Sequence, residues 1–316
     1  MALLKRLNPF LKTNEDTGLS TTISSYGGRF LNKDGSYNLH KEGRSLVEKF
    51  SVYHLLLNLP VWQFACVLVS TFILVNLLYT GIYLLIGTDQ LAGIANRTAW
   101  GTFKEVYFFS TETFTTVGYG RVNPIGDGAN FLASIEAMSG FLSFAVATGL
   151  IYGRFARPKA HLVFSDHAVV APYKEGTALM FRFVSYKNHH TLTDVHVQTN
   201  IAMLVQENGH STYRYFELKL ERNKIETLAM NWTVVHPIDE ESPLSGFSAE
   251  DIQAADVEIY VLIRGFSDIY SSVVQQRTSY TYPEIFFNKK FVPMYRESPN
   301  GTVLELQNLD KSVVVV

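Results

Sequence analysis

Residues 116–120 read Thr-Val-Gly-Tyr-Gly, a pentapeptide whose backbone can itself do chemistry. When the carbonyl oxygens of such a loop point into a narrow pore, they can replace the water around a dehydrated K⁺ ion. Gly118 and Gly120 allow the positive φ values that a ladder of carbonyls needs, at little steric cost. Thr116 can add its hydroxyl at the inner mouth, and Tyr119 can support the loop from behind. The alternative is a β-turn that happens to have this composition.

The pentapeptide lies between two apolar segments that are long enough to cross a membrane. Residues 61–86 contain no charged side chain, and residues 129–155 contain a single acid, Glu136. Both segments exceed the ~20 residues that the hydrocarbon core requires. A glutamate inside a span is costly and marks a functional site, so we expect Glu136 to face protein near the back of the loop. Residues 100–113 predict a short re-entrant helix, which is tolerated at membrane depth when it is buried in protein.

Basic residues are frequent before the first span and after the second, and sparse between the spans. This distribution predicts that both termini are cytoplasmic. Residues 45–58 carry apolar side chains at helical spacing and end before Pro60, which predicts an amphipathic helix lying on the membrane surface. An ordinary helix packed on a soluble domain is the alternative. A basic belt at the inner leaflet could attract anionic lipid head groups, or could serve orientation alone. Its members are Arg44, Lys49, Arg154, Arg157 and Lys159.

The character of the chain changes after the second span. Several short runs with partial period-2 alternation, separated by turn signals, predict a β-sandwich over residues 158–300. Residues 1–44 are polar and rich in turn signals, and we expect a cytoplasmic tail that is flexible or exchanges a strand. Residues 301–316 are predicted as a C-terminal tail. The pore domain between these parts comprises residues 59–157, and the fold class is membrane α plus all-β.

Composition and motifs exclude several function classes. A net charge of −2 over 316 residues lacks the basic balance of a dedicated nucleic-acid binder. An enzyme has little support, because the adjacent Ser165, Asp166 and His167 cannot by themselves form a catalytic relay. His189, His190 and His196 lack the ligand spacing of a metal site. No cofactor is predicted, and K⁺ is expected only as the permeant ion.

The order of the motifs resembles the inward-rectifier potassium channel family, specifically its prokaryotic (KirBac-type) branch. The resemblance covers about residues 30 to 295. It rests on the 116–120 loop, on Trp232-Thr-Val-Val-His-Pro-Ile-Asp239, on Arg157-Pro-Lys159 and on Arg277-Thr-Ser-Tyr280. It implies a two-transmembrane-helix potassium-channel pore with a re-entrant pore helix, followed by a cytoplasmic immunoglobulin-like β-sandwich. It also implies a homotetramer in the inner membrane of a bacterial cell.

The resemblance assigns roles to individual residues. Glu112 matches the family's pore-helix glutamate and could pair with Arg121 behind the filter. Phe144 occupies the position where strong rectifiers carry an aspartate, so weak or differently placed block is expected. Tyr152 falls at the helix-bundle crossing, where a ring of aromatic side chains could close the pore. Gly140 and Gly149 could act as hinges or permit close helix packing.

Further expectations concern the cytoplasmic part and its lipid partner. Residues 265–274 correspond to a loop that narrows the cytoplasmic pore in the family. Glu258 and Asp268 could attract cations there, or could be solvated charges at strand ends. The family implies regulation by phosphoinositide or another anionic lipid.

The predicted function is passive, K⁺-selective conduction, gated at the inner-helix bundle crossing. The alternative is a membrane-anchored β-sandwich receptor or binding protein with a non-conducting pore segment, and oligomeric state would distinguish the two. The predicted filter residues are Thr116, Val117, Gly118, Tyr119 and Gly120, and the first four are the predicted K⁺ ligands. Glu112, Arg121 and Glu136 are predicted to support the filter. Phe144 and Tyr152 are predicted to line or close the pore.

Overall fold

The structure is a computed structural model that describes residues 13–14, 18, 28–43, 51–96, 98–188, 190–207, 210–299 and 301–315. The chain divides into two compact units. One comprises residues 42–157. The other comprises residues 1–41 together with residues 158–316. Most of the predicted N-terminal tail, and residues 45–50 of the predicted surface helix, lie outside the described residues.

Helices build the first unit. In its described part they are α1 (Val52–Asn58), α2 (Val61–Ile86), α3 (Ala99–Phe114) and α4 (Asp127–Phe155). Pro60 separates α1 from α2 because proline cannot donate the amide hydrogen that a continuous helix needs. The helices α2 and α4 are long and apolar enough to cross a membrane. The helix α3 is too short to cross and lies between them in the chain, as the sequence predicts.

Short pairings fasten the segments that connect these helices. Strand β1 (Leu91–Ala92) pairs antiparallel with β2 (Asn123–Pro124). Beside this pair, the Gln90 side chain accepts a hydrogen bond of 3.0 Å from the Ala129 amide at the start of α4. The segment that follows α2 is therefore joined to the segment that runs from the 116–120 loop to α4.

The second unit is a β-sandwich. Its strands are β3 (Leu162–Phe164), β4 (Ala168–Tyr173), β5 (Gly176–Ser185), β6 (Leu192–Glu207), β7 (His210–Glu217), β8 (Lys224–Leu228), β9 (Trp232–Ile238), β10 (Glu258–Ser267), β11 (Ser272–Thr281) and β12 (Ile285–Phe287). One sheet has the strand order β11-β10-β6-β7, with β8 also paired to β6. The other sheet has the order β12-β4-β5-β3, with β9 also paired to β5.

Alternating side chains from the two sheets form one apolar core. Phe181 and Phe183 of β5, Val197 of β6 and Ile259 and Ile263 of β10 are all buried in it. This alternation is the period-2 pattern that distinguishes these runs in the sequence. A short helix, α5 (Ala249–Ala254), begins with a capping box in which Ser248 and Asp251 bond each other's backbone amides. The predicted fold class, a two-span helical pore domain followed by a β-sandwich, is confirmed.

The motif around His236 has a structural role within this sandwich. The His236 Nδ1 lies 2.6 Å from the carbonyl oxygen of Lys219, which can only accept, so Nδ1 carries the proton. Its Nε2 lies 2.8 Å from the Ser242 hydroxyl, which in turn accepts from the Leu244 amide. The imidazole therefore fixes the turn that follows β9.

The prediction that residues 301–316 form a tail is wrong. Strand β15 (Gly301–Leu304) pairs with β14 (Tyr295–Ser298), and β16 (Ser312–Val314) pairs with β13 (Lys289–Phe291). The buried Arg182 of β5 donates hydrogen bonds to the carbonyls of Leu309, Asn308 and Val292. These carbonyls hold the buried guanidinium, and burial lowers the pKa of Arg182 to about 10. The final segment is thereby part of the domain.

Residues 28–37, within the described part of the N-terminal tail, also pack against the sandwich. Phe30 and Leu31 are buried with tyrosines of β7 and β10. Glu258 accepts hydrogen bonds from the amides of Phe30 and Leu31, at 3.0 and 3.1 Å. The interpretation of Glu258 as a solvated strand-end charge is therefore wrong, because the carboxylate is buried and binds backbone. Asp268, in contrast, is exposed in the turn after β10.

Residues 265–274 form a hairpin rather than an extended loop. Gly265 pairs with Val274 within the β10–β11 ladder, and only residues 268–271 form the turn. The expectation of a loop over this whole segment is corrected, since the ladder continues to the pair Ser267 and Ser272.

Candidate functional site

The 116–120 loop is anchored to the end of α3. Thr98 caps the start of this helix by accepting a hydrogen bond of 3.1 Å from the Gly101 amide. At its other end, the Glu112 carbonyl accepts from the amides of Val117 and Gly118, at 2.9 and 3.3 Å. These bonds turn the chain back on itself immediately after the helix. Because the carbonyl end of a helix carries partial negative charge, α3 directs a cation-favouring end toward the start of the loop.

The backbone of the loop alternates in handedness. Thr116, Gly118 and Gly120 have φ values of 59°, 56° and 78°, whereas Val117 and Tyr119 between them have negative φ. Alternation of this kind collects amide hydrogens on one side of the chain and carbonyl oxygens on the other. The positive φ of Thr116 is uncommon for a β-branched residue, so its surroundings must hold this conformation against its strain. The geometry is that of a carbonyl ladder.

Within one chain, this ladder is open to its surroundings. The side chains of Val117 and Tyr119 are 54% and 80% exposed. No other described residue would contact a Cβ added at Gly118 or Gly120 within 4 Å. Within the single chain, the described residues therefore cover only one side of this loop.

A buried polar network lies beside α3, centred on Glu136 of α4. Glu136, Ser110 and Tyr83 are at most 1% exposed. The Ser110 hydroxyl donates to one carboxylate oxygen of Glu136 at 2.5 Å, and the Tyr83 hydroxyl donates to the other at 2.8 Å. Among the described residues, Glu136 has no ion-pair partner. The hydrogen bonds of this carboxylate come from hydroxyl groups of α2 and α3. The helices α2, α3 and α4 therefore meet at Glu136.

The network extends along α2 through Asn76 and Thr80, which are both fully buried. The Ser110 hydroxyl lies 3.2 Å from the Asn76 side-chain oxygen, and the Thr80 hydroxyl donates to the Asn76 carbonyl at 2.7 Å. Sequence reasoning identified Glu136 but missed its partners. Asn76 is the only asparagine in this uncharged span, and that signal could have revealed it.

The predicted pair of Glu112 with Arg121 is not formed within the chain. The Arg121 guanidinium lies 3.5 Å from Glu105, near the middle of α3. Glu105 also accepts from the amides of Ala95 and Asn96. The reason is geometric: Glu112 and Glu105 precede Thr116 by four and eleven residues, about 6 and 16 Å along a helix, and the five residues from Thr116 to Arg121 can span up to ~16 Å. Arg121 is therefore carried past Glu112.

Two glycines of α4 that the sequence suggested as hinges, Gly140 and Gly149, have different surroundings. A Cβ on Gly140 would lie 1.9 Å from the Phe114 carbonyl oxygen at the end of α3, so only glycine fits there. A Cβ on Gly149 would meet nothing within 4 Å. Gly140 thus permits close packing of α4 against the helix that carries the loop, and Gly149 has no such role in the single chain.

Phe144 and Tyr152 lie on α4 with large exposed fractions, 75% and 73%. Eight residues separate them, which is slightly more than two turns, so they lie on neighbouring parts of one helix face. Their roles in lining and closing a pore remain predictions.

The predicted basic belt is only partly free to bind lipid. Arg44 and Lys49 lie outside the described residues. Arg157 donates to the Asn58 side chain at 2.7 Å, and Arg154 donates to backbone carbonyls at the end of α1. Lys159 is exposed. Arg154 is therefore not a free surface cation, because its hydrogen bonds are used within the chain.

Two spans, a re-entrant helix, a carbonyl ladder and a C-terminal β-sandwich together define an ion channel of the two-span class. Comparison with known proteins agrees. A family model described as the inward rectifier potassium channel C-terminal domain matches residues 162–316, and a model described as an ion channel matches residues 65–157.

Curated relatives extend this match to nearly the whole chain. The inward rectifier potassium channel Kirbac3.1 of Paramagnetospirillum magnetotacticum is 32% identical over 277 residues, which cover 86% of this chain and 91% of that protein. The ATP-sensitive inward rectifier potassium channel 12 of Gallus gallus is 26% identical over 98% of this chain and 81% of that protein. The Homo sapiens protein of the same name is 26% identical over 100% and 81%. The chain belongs to the inward rectifier potassium channel family, whose members are channels rather than enzymes.

A solved structure, that of the sporulation control protein Spo0M from Bacillus subtilis, aligns with 40% of this chain and 47% of its own, at 10% identity and a TM-score of 0.22. A similarity this weak carries no argument.

Proposed function

We propose that the chain forms a K⁺-selective pore as a homotetramer and conducts K⁺ passively down its electrochemical gradient. The alternating φ values of Thr116, Gly118 and Gly120 carry this proposal, since they create a ladder of carbonyl oxygens. Thr116, Val117, Gly118 and Tyr119 provide the oxygens that replace the water around each ion.

Four-fold assembly follows from the incompleteness of one chain. A dehydrated cation needs oxygen ligands on all sides, and a single loop supplies them on one side only. Closed ring symmetry is the arrangement that completes such a site. Membership of the family argues against the alternative, a membrane-anchored receptor with a non-conducting pore segment.

The filter is supported from behind by the buried contacts of Glu136, and Arg121 and Glu112 hold its two ends. The gate lies at Tyr152, near the cytoplasmic end of α4, with Phe144 lining the path above it. Both termini lie in the cytoplasm of a bacterial cell, and the channel resides in the inner membrane. The β-sandwich and anionic lipid regulate the gate, with Arg157 and Lys159, together with Arg44 and Lys49, as the cations nearest the head groups.

A liposome flux assay on the purified protein tests the proposal. We expect uptake of K⁺ and Rb⁺ that Ba²⁺ blocks and that Na⁺ cannot replace, and a tetramer in detergent. The variant Gly118→Ala should lose this uptake, because alanine disfavours the positive φ of this position although space for its Cβ is open. Equal Na⁺ uptake, or a monomeric protein, would overturn the proposal.

A further inference from the structure

The corner between α1 and α2 leaves three backbone carbonyls without helical donors. The last helical bond of α1 runs from the Leu59 amide to the Leu55 carbonyl. A continuing helix would next place an amide hydrogen from residue 60 on the Leu56 carbonyl, but Pro60 has none. The carbonyls of Leu57 and Leu59 also lie where the helix has ended. These groups need donors from outside α1 and α2.

Arg154, in the last turn of α4, supplies all three. Its Nη1 donates to the carbonyls of Leu56 and Leu57 at 2.8 and 3.2 Å. Its Nη2 donates to the Leu59 carbonyl at 2.8 Å. Its Cζ lies 4.6 Å from the centre of the Phe64 ring in α2. A cation at the carbonyl end of a helix is also favoured by the helix dipole.

Neighbouring contacts join the same two elements. Arg157 donates to the Asn58 side chain at 2.7 Å. Gly153 leaves room for α1, because a Cβ there would lie 3.4 Å from the Tyr53 hydroxyl and 3.6 Å from Leu57. The end of α1 therefore packs directly on the last turn of α4.

We infer that Arg154 is a positioning residue that fastens the surface helix α1 to the end of α4, and that it does not bind a lipid head group. Its consequence for gating rests on the proposed function, in which Tyr152, two residues earlier, closes the pore. Displacement of α1 along the membrane surface then moves the last turn of α4, and the gate follows the surface helix through the Arg154 guanidinium and the contacts beside it.

Arginine is required by this geometry, because its planar fork presents two nitrogens to acceptors on either side of the corner. A lysine keeps the charge but lacks the planar fork that contacts the three carbonyls and the Phe64 ring, so we expect it to replace these contacts only in part. A lipid ligand behaves differently, since an anionic head group accepts lysine as a point charge. Arg154→Lys therefore separates the two roles.

Hydrogen exchange of the full-length protein in phosphatidylcholine–phosphatidylglycerol vesicles tests the contact without reference to conduction. We expect the amides of residues 52–59 to exchange about tenfold faster in both Arg154→Lys and Arg154→Gln, because local opening of this corner becomes easier. Lys159→Gln, the matched removal of a nearby exposed cation, should leave this exchange unchanged.

A rescue variant makes the test specific. Pro60→Ala restores the amide hydrogen that the Leu56 carbonyl lacks, so it should slow the exchange of Arg154→Gln back toward the wild-type rate. Unchanged exchange of residues 52–59 in both Arg154 variants would overturn the inference, whatever the flux results are.

A titration of phosphatidylglycerol against Ba²⁺-sensitive Rb⁺ uptake tests the coupling. We expect Arg154→Lys to alter the maximal uptake as strongly as Arg154→Gln, while the lipid fraction at half-effect stays constant and Na⁺ remains excluded. Lys159→Gln should shift that lipid fraction instead. If Arg154→Lys matches the wild type while Arg154→Gln shifts the lipid fraction, Arg154 is a lipid ligand and the inference fails. Absence of Rb⁺ uptake in the wild type would count against the proposed function alone, because the exchange measurement stands independently.

Discussion

The Ser110 hydroxyl of α3 donates a 2.5 Å hydrogen bond to the Glu136 carboxylate of α4, and both side chains are completely buried. Six residues after Ser110, the carbonyl ladder begins. A buried charged group must be satisfied by hydrogen bonds if it is not to destabilise the fold. Here the satisfying hydroxyl belongs to the helix that carries the filter, so the position of α3 depends on the carboxylate.

Removal of this hydroxyl should weaken both the fold and the filter. In Ser110→Ala, Glu136 keeps only Tyr83 as a donor, and we expect a loss of about 1–3 kcal/mol in the free energy of unfolding. We also expect a lower ratio of Rb⁺ to Na⁺ uptake, because α3 is less firmly held. Thermal unfolding in detergent and liposome flux measure the two effects. Ser134→Ala is the control, since its hydroxyl is exposed and bonds only the Asn130 carbonyl of its own helix; equal effects of the two variants would contradict the prediction.

Gly140 and Gly149, both in α4, provide a second matched pair. Gly140→Ala places a methyl group 1.9 Å from the position of the Phe114 carbonyl oxygen, so α4 or the end of α3 must shift. We expect selective K⁺ uptake to be lost, because the shift reaches the start of the filter. Gly149→Ala has open space and replaces a weak helix former with a strong one, so uptake and tetramer formation should be retained. Similar behaviour of both variants in the flux assay would show that the α3–α4 contact does not position the filter.

Sequence reasoning predicted the helical elements well because their signals are local. The apolar run of α2 and the Pro60 break define its bounds without reference to the rest of the molecule. The alternating runs of β5 and β10 likewise indicate strands by their own pattern. The 116–120 loop is the strongest example for backbone conformation, since Gly118 and Gly120 have the positive φ values expected of them, while its role as a filter stays a prediction.

Other features could not be predicted, since they depend on where distant segments meet. The partner of Arg121 is decided by the path of the returning chain, whereas the resemblance to the family pointed to Glu112. The partners of Arg154 are backbone carbonyls, which every residue possesses. The run at the C-terminus forms β16 only because β13 is available to pair with it. The role of Glu258 could not be predicted either, because its carboxylate accepts from the Phe30 and Leu31 amides only when residues 28–37 lie against the sheet.

Glu258 should therefore control the attachment of the N-terminal segment to the sandwich. In Glu258→Ala, the amides of Phe30 and Leu31 lose their acceptors, and we expect residues 28–37 to exchange hydrogen and to be cleaved by protease at least ~10-fold faster. The buried contacts of Phe30 with Tyr260 remain, so the sandwich itself should stay folded. Asp268→Ala, in the exposed turn of the same hairpin, is the control. Unaltered protection of residues 28–37 in Glu258→Ala would refute the role of this carboxylate.

Stability should depend on pH through buried histidines of the sandwich. Burial lowers the pKa of His236, the most deeply buried of three histidines shifted in this direction; the others are His161 and His167. The unfolded chain, with histidine pKa values of about 6.5, therefore binds more protons than the folded chain. The free energy of unfolding should decrease as the pH falls through that value, by up to about 1.4 kcal/mol per pH unit for the buried His236 and by less for the partly buried His161 and His167.

The variant His236→Asn isolates the contribution of this residue. Its amide can still donate to the Lys219 carbonyl, but it cannot titrate. We expect it to be less stable than the wild type at pH 7.5, and to lose less stability between pH 7.5 and 5.5, because one proton-linked group is absent. Thermal unfolding midpoints across this range provide the measurement, with His40→Asn, at an exposed position, as the control that keeps the full pH dependence. If the wild type and His236→Asn lose stability equally on acidification, the pH dependence belongs to His161 and His167, and the neutral imidazole of His236 does not limit the stability of the domain.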